Sequence, residues 1–279
     1  VCSSDLFGQV TAMSTVLAPI KPAKKIWVVG AINGDYGALR SVHQKLAQRL
    51  MPGDRLVYLG NYWGDGAAEN VIATINELLM FRRYFLAKDG VDISDIAFLR
   101  GAAEEMLSKL QQIQFAPNPV EVFDWMLTRG IAGTARAYGF DPANVQRTMH
   151  QGAHAISQWT SLFADALRRH AGHNALLSDL KHAAYSTDGR LIFVHAGLDG
   201  SRPLTGQTDT FWWGGSMFEA ITERYYDCAR IVRGASQGQV GLQEREFTLS
   251  LDGGAGRGGQ LIAVALDDQG AITDQLTSS

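Results

Sequence analysis

Five short apolar runs, each closed by a glycine-marked segment, set the limits on how this chain folds. Lys25–Gly30 leads into Gly30-Ala31-Ile32-Asn33-Gly34, and Arg55–Gly60 into Gly60-Asn61-Tyr62-Trp63-Gly64-Asp65-Gly66. Ile96–Arg100 leads into Gly101-Ala102-Ala103-Glu104, Arg190–His195 into Ala196-Gly197, and Ala229–Arg233 into Gly234-Ala235-Ser236. Continuous apolar runs of this length read as strands buried on both faces. Helical spacings separate the first three: Leu39, Val42, Leu46 and Leu50 within Ala38–Leu50, then Val71–Phe85, with Ala102–Ile113 after the third. Strands alternating with helices predict an α/β fold with parallel pairing and right-handed crossovers.

The middle of the chain reads differently. From about residue 118 to 182 the pattern is helical, with Trp125, Met126, Tyr138, Trp159, Leu162, Phe163 and Leu167 as apolar positions. Pro117, Pro119, Gly130, Gly139 and Pro142 punctuate it, so the stretch is expected to be a helical insertion in the α/β frame. Phe247–Leu251 and Gln260–Leu266 are expected to form an antiparallel pair joined by Gly253–Gly259. Residues 1–24 are expected to be a disordered lead-in. Within them, Val1-Cys2-Ser3-Ser4-Asp5-Leu6 looks like a translated sequencing adapter, so 1–12 are read as an assembly artefact and Met13 as the start. One domain then covers 25–279.

Composition removes several classes. A net charge of −3 and no Lys/Arg block argue against nucleic acid as a partner. No apolar run approaches the roughly 20 residues that span a bilayer, so no membrane association is expected. Two cysteines, Cys2 and Cys228, form neither a disulfide framework nor a zinc spacing, which fits a cytoplasmic protein. Gly30–Gly37 lacks glycine at Ile32 and Asp35, so the dinucleotide fingerprint fails, and no Lys-Ser/Thr completes a P-loop.

The order and glycines of the five segments resemble the phosphoprotein phosphatase branch of the calcineurin-like metallophosphoesterases. That family carries GDxHG, GDxxDRG, GNHE, HAG or HGG, and a late GH. Arg100–Leu107 (RGAAEEML) is similar to the RGNHEEML of bacterial members, Phe193–Leu198 (FVHAGL) matches unchanged, and Leu251–Ala255 resembles their LDTGA. The likeness runs from about Lys25 to Asp267. It implies two mixed β-sheets stacked as a sandwich and flanked by helices.

The resemblance also implies what each position has lost. The family's metal Asp and His of GDxHG fall on Ala31 and Asn33, and its bridging Asp on Asn61. The Asp that supports the general acid falls on Gly64, and the phosphate-binding Arg on Asp65. The metal Asn falls on Ala102, the proton-donating His on Ala103, and the late metal His on Ala235. A second phosphate-binding Arg falls near Gly214, within Phe211–Phe218. Only His195 keeps a ligand, and Gly101 and Glu104 persist beside it.

Two adjacent divalent cations need anionic oxygen donors as well as imidazole. These positions supply none, so no catalytic residue is intact and no cofactor is expected. The expectation is a catalytically inactive, serine/threonine phosphatase-like binding or regulatory module, a bacterial cytoplasmic pseudophosphatase with an unknown protein or small-molecule partner. Its pocket would be neutral and partly aromatic, lined by Asn33, Asn61, Trp63, Ala102, His195, Ala235 and one of Trp212 or Trp213. The alternative is a weak hydrolase acting on phosphoproteins or dinucleoside polyphosphates. It would hold Mn, Fe or Zn through His195 and Asn61, with Asp35 or Asp65 assisting. Bland readings stand beside these: a structural His195, turn-forming Asn33 and Asn61, a solvated Asp65, an inert Cys228, and His150 and His154 as a helix-face pair.

Overall fold

In the computed structural model, residues 16–64, 66–238 and 241–278 are described. The adapter-like segment, the Met13 start, Cys2 and Asp65 lie outside them.

The chain runs β1 (Leu17–Ile20), β2 (Ile26–Val29), α1 (Tyr36–Arg49), β3 (Arg55–Tyr58), α2 (Ala68–Leu86), β4 (Ile96–Phe98) and α3 (Ala102–Leu110). The insertion follows as α4 (Pro119–Thr128), α5 (Ile131–Ala137), α6 (Pro142–Met149), α7 (Ala153–Arg169) and α8 (His173–Asp179). Then come β5 (Ala183–Ser186), β6 (Leu191–Val194), α9 (Thr210–Trp213), α10 (Gly215–Glu219) and β7 (Arg230–Arg233). β8 (Gly241–Glu244), β9 (Thr248–Asp252), β10 (Ile262–Leu266) and β11 (Ile272–Thr277) close the chain.

Two mixed sheets result, ordered β1-β5-β6-β7-β9-β8 and β11-β10-β2-β3-β4 among the described residues. β2, β3 and β4 pair in parallel, as do β6, β7 and β9. The sheets face each other through one apolar layer: Val28, Val57 and Leu59 from one meet Phe193, Val232 and Leu249 from the other. Alternate residues point outward. Trp27 and Val29 pack under α1, α2 and the insertion, while Ile192, Val194 and Ile231 pack under Phe211, Trp212 and Phe218. Burial on both faces is why β2 and β6 are apolar throughout. The insertion's Phe123, Met126, Tyr138 and Phe163 share one core with α1 and α2. Asn118 and Asp141 cap α4 and α6, each followed by a proline at the first helical position.

Three expectations need correction. Residues 17–20, read as lead-in, form β1 and pair in parallel with β5. Phe247–Leu251 and Gln260–Leu266 do not pair: β9 lies between β7 and β8, whereas β10 lies between β2 and β11 in the other sheet. The Gly253–Gly259 segment is a sheet-crossing corner, folded so tightly that a Cβ on Gly259 would sit 2.0 Å from the Gly253 carbonyl oxygen. His150 and His154 do not share a helix face, because His150 ends α6 and Gly152, at φ 89°, separates it from α7. Among the described residues no helix is long and apolar enough to cross a membrane.

Glycine matters most where the sheets converge. A Cβ on Gly30 would lie 2.2 Å from the Leu251 carbonyl oxygen, so Gly30→Ala must push the sheets apart. We expect it to cost about 2 kcal/mol or more. Gly37, exposed in the first turn of α1, has only the Asp35 carboxylate at 3.7 Å, and Gly37→Ala should gain about 0.5 kcal/mol. Urea melts of the two variants check this; equal stabilities would contradict the assignment.

Candidate functional site: a cleft at the strand tips

The loops that follow β2, β3, β4, β6 and β7 meet at one end of the sandwich, where open α/β sheets generally place their sites. The two sheets are joined there directly. Ala31 N–H donates to the Gly234 carbonyl at 3.1 Å, and Gly234 and Ala235 N–H both donate to the His195 carbonyl.

Asn33 and Asn61 form the centre. Both adopt left-handed backbone, φ 52° and 56°, which asparagine tolerates better than most residues, as the turn reading required. Asn33 N–H donates to the Asn61 carbonyl at 2.5 Å. The Asn61 side-chain Nδ2 donates to Asn33 Oδ1 at 2.9 Å, and Asn61 Oδ1 accepts from Ala103 N–H at 3.0 Å. Asn33 Nδ2 donates to the Ala255 carbonyl at 2.9 Å. These four bonds draw together the loops after β2, β3, β4 and β9.

Glu104 lies beneath them, fully buried. Its Oε2 accepts from Asn61 N–H at 2.9 Å and Gly101 N–H at 2.7 Å, and its Oε1 from Trp63 N–H at 3.1 Å. Burial lifts its carboxyl to about 7, although the backbone donors pull the other way. The approach leaves no room for larger residues: a Cβ on Gly101 would sit 2.4 Å from the Asn61 nitrogen, and one on Gly64 2.6 Å from the Asn33 carbonyl oxygen.

His195 is 1% exposed. Its Nδ1 contacts the Leu59 carbonyl at 2.7 Å, which makes Nδ1 the protonated nitrogen and Nε2 an acceptor. Nε2 has no partner among the described residues, and His195 lines the cleft. Burial pushes the imidazole down to about 4, against the pull of the Leu59 carbonyl.

The cleft has two lobes. One, about 450 Å³, is lined by Asn61, Ala102, His195, Trp212, Ala235 and Ser236 among others. The second, about 440 Å³, reaches Asn33, Gly64, Ala103 and Met106. Arg129, Trp213 and Arg257 line both. Among the described residues the pocket's lining is therefore cationic, where a neutral one was expected. Trp63 is not in its wall; it is buried behind, where its Nε1 donates to Tyr138 Oη at 2.8 Å. Tyr138 continues to His173 Nδ1 at 2.7 Å, and His173 Nε2 meets Asn76 Oδ1 at 3.1 Å, so the insertion anchors the loop after β3. Ala31 also lies below the surface, at 3% exposure. Asp35 is engaged elsewhere, accepting from Ala38 and Gly256 N–H. Gly214 packs on the turn after His195, its carbonyl oxygen 2.1 Å from where a Gly197 Cβ would be.

Sequence reasoning missed Arg129, Arg257 and the cleft face of Trp125. The available signals were the Trp125/Arg129 spacing of one helical turn and the position of Arg257 two residues after the Leu251–Ala255 run that resembles LDTGA.

The donor set does not fit a dinuclear metal centre. Among the described residues it offers one imidazole nitrogen, two amides bonded to each other, and the methyl groups of Ala102 and Ala235. Among the described residues no three His, Cys, Asp or Glu side chains gather where they could hold an ion.

No family model and no curated protein matches the sequence. Solved structures do. A provisionally assigned diadenosine tetraphosphatase superposes with a TM-score of 0.58 at 16% identity, covering 95% of this chain and 99% of that one. A serine/threonine phosphatase from Saccharomyces cerevisiae with similarity to human PP5 gives 0.48 at 12% identity over 95% and 84%. A metallophosphoesterase from Sphaerobacter thermophilus gives 0.43 at 12% over 91% and 88%. The fold is that of the calcineurin-like metallophosphoesterases. At these identities the likeness carries architecture alone.

A histidine held neutral by burial makes stability pH-dependent. The folded state favours neutral His195, so its contribution is complete above the ordinary value of 6.5 and lost as pH falls towards about 4. Between pH 7 and pH 5 the fold should lose roughly 2 kcal/mol from this residue. Urea melts of the parent and His195→Asn at both pH values check it. The variant should lose less stability than the parent on acidification; equal losses would show that His195 is not the group responsible.

Proposed function

We propose that this metallophosphoesterase-like protein is a catalytically silent, bacterial, cytoplasmic binding module whose cleft has exchanged metal ligation for direct loop-to-loop bonding. One observation carries the reading: the side chains of Asn33 and Asn61 are bonded to each other at the strand tips. By the resemblance, those positions would carry a metal histidine and a bridging carboxylate. An amide is both donor and acceptor, so the pair satisfies itself with no ion between. Ala31, Ala102 and Ala235 carry no ligand atoms on their side chains, and Ala103 no proton donor. Gly64 and Gly214 leave no space for the side chains the chemistry would need. A general acid alone contributes about 10²–10⁴ in rate, and here the ligands, acid and arginine positions are replaced together. Cys228, buried with its thiol pushed up to about 12, is inert, which suits a reducing compartment.

A second reading rests on the open Nε2 of His195. With Asn61 it would hold one Mn, Fe or Zn ion and support slow hydrolysis of phosphoproteins or dinucleoside polyphosphates, the latter in keeping with the provisional activity of the similar solved structure.

The two readings separate in one experiment. Protein supplied with manganese or zinc should turn over p-nitrophenyl phosphate no faster than an Asn61→Ala/His195→Ala double variant, and elemental analysis after desalting should find well under one metal per chain. Turnover clearly above the double variant, with stoichiometric metal, would establish the second reading.

A further inference from the structure

We infer that the cleft is a metal-independent receptor for a planar organic oxyanion, with Arg129 and Arg257 holding its charge and Trp125 and Trp213 covering its flat body. This names the ligand chemistry of the binding site proposed above and rests on that proposal.

The charge argument comes first. Several arginines in this chain that are at least partly buried have carboxylate partners: Arg55 with Asp95, Arg100 with Glu105, Arg230 with Glu244, Arg233 with Glu219. Arg129 and Arg257, which line both lobes, have no ion pair or side-chain hydrogen bond among the described residues. No described carboxylate lines either lobe. Two open guanidinium groups therefore face one cavity in a chain whose net charge is −3. Low-dielectric walls focus that local field on an incoming anion.

Geometry gives the shape of the ligand. The Arg129 guanidinium lies 5.5 Å from the Trp125 ring centre and 5.8 Å from that of Trp213. The two indoles meet edge to face, 5.3 Å apart at 70°. Stacking holds the guanidinium plane and leaves its N–H edge free for bidentate contact with a carboxylate or phosphate. Trp125 remains 38% exposed, an open aromatic surface beside the charge. Indole and guanidinium faces favour flat partners.

Depth gives a third requirement. His195, almost wholly buried, presents an unpartnered acceptor nitrogen to the cavity. The ligand must bring it a hydroxyl or N–H donor, or leave it bonded to water. A lobe of about 450 Å³ suits a small molecule more than a folded partner.

Phosphate and carboxylate satisfy the same groups, and a titration separates them. Tryptophan fluorescence is followed in EDTA with adenosine 5′-monophosphate and with 1-naphthoate, using adenosine and inorganic phosphate as the separated halves. At least one planar anion should quench saturably and bind about tenfold or more tightly than either half. Arg129→Ala and Arg257→Ala should each weaken it by about tenfold or more, as expected for loss of a charge-assisted bond. Tighter binding of the nucleotide assigns phosphate, and tighter binding of the naphthoate assigns carboxylate. Both arginines are exposed, so unchanged melting temperatures verify that the variants fold; for any that does not, Arg→Gln replaces it in the comparison. No saturation by either anion below about 1 mM, or undiminished affinity in both arginine variants, would overturn the inference. Failure of binding in an inert protein removes this inference alone. Turnover of p-nitrophenyl phosphate removes the silent reading, whatever the titration shows.

Discussion

The side-chain amides of Asn61 and Asn33 meet at 2.9 Å where the two sheets converge, and the rest of the site is arranged around that contact. Each amide also reaches a further loop, through Ala103 N–H and the Ala255 carbonyl. A carboxylate is acceptor-only when ionised, so beside the lone pair of a neutral imidazole it would need a cation or a proton between the two. Two amides attract, because each carries a donor and an acceptor. Such a pair is satisfied with no ion between its members.

The surrounding packing requires that closure. Gly101, Gly64 and Gly256 admit backbone where a Cβ would collide with Asn61 or Asn33. Glu104 holds three N–H groups from two loops, and the Trp63–Tyr138–His173–Asn76 chain fixes the loop after β3 to the insertion and α2. These polar atoms are partnered and, the exposed Asn76 apart, buried, so separating them would cost free energy. The cleft is walled by these bonded loops, and its rim carries two exposed side chains, Arg129 from the insertion and Arg257 from the sheet-crossing corner.

The sequence revealed this unevenly, for physical reasons. β2, β3, β6 and β7 were legible because burial on both faces keeps them mostly apolar, and the tip glycines because close approach admits nothing larger. β1 was not: it carries Pro19 and lies at a sheet edge, where a missing donor is tolerated, so only its partner β5 defines it. The corner between β9 and β10 looked like a hairpin because glycine marks both a turn and a crossing between sheets. Of the positions singled out from the sequence, Asn33, Asn61, Gly64, Ala102, Ala103, His195 and Ala235 line the cleft, and Ala31 lies just beneath it, because all of them follow strand ends that the apolar runs mark. Arg129 and Arg257 were not, since exposed residues obey no periodicity and these two meet only through tertiary packing.

Metal exchange and loop closure can be seen together in a crystal soaked in manganese and measured at a wavelength where manganese scatters anomalously. The anomalous difference map should be featureless between the tips of β2, β3 and β6, with Asn61 Nδ2 still bonded to Asn33 Oδ1. Paired anomalous peaks between Asn61 and His195, with the amides drawn apart, would contradict the exchange of ions for hydrogen bonds.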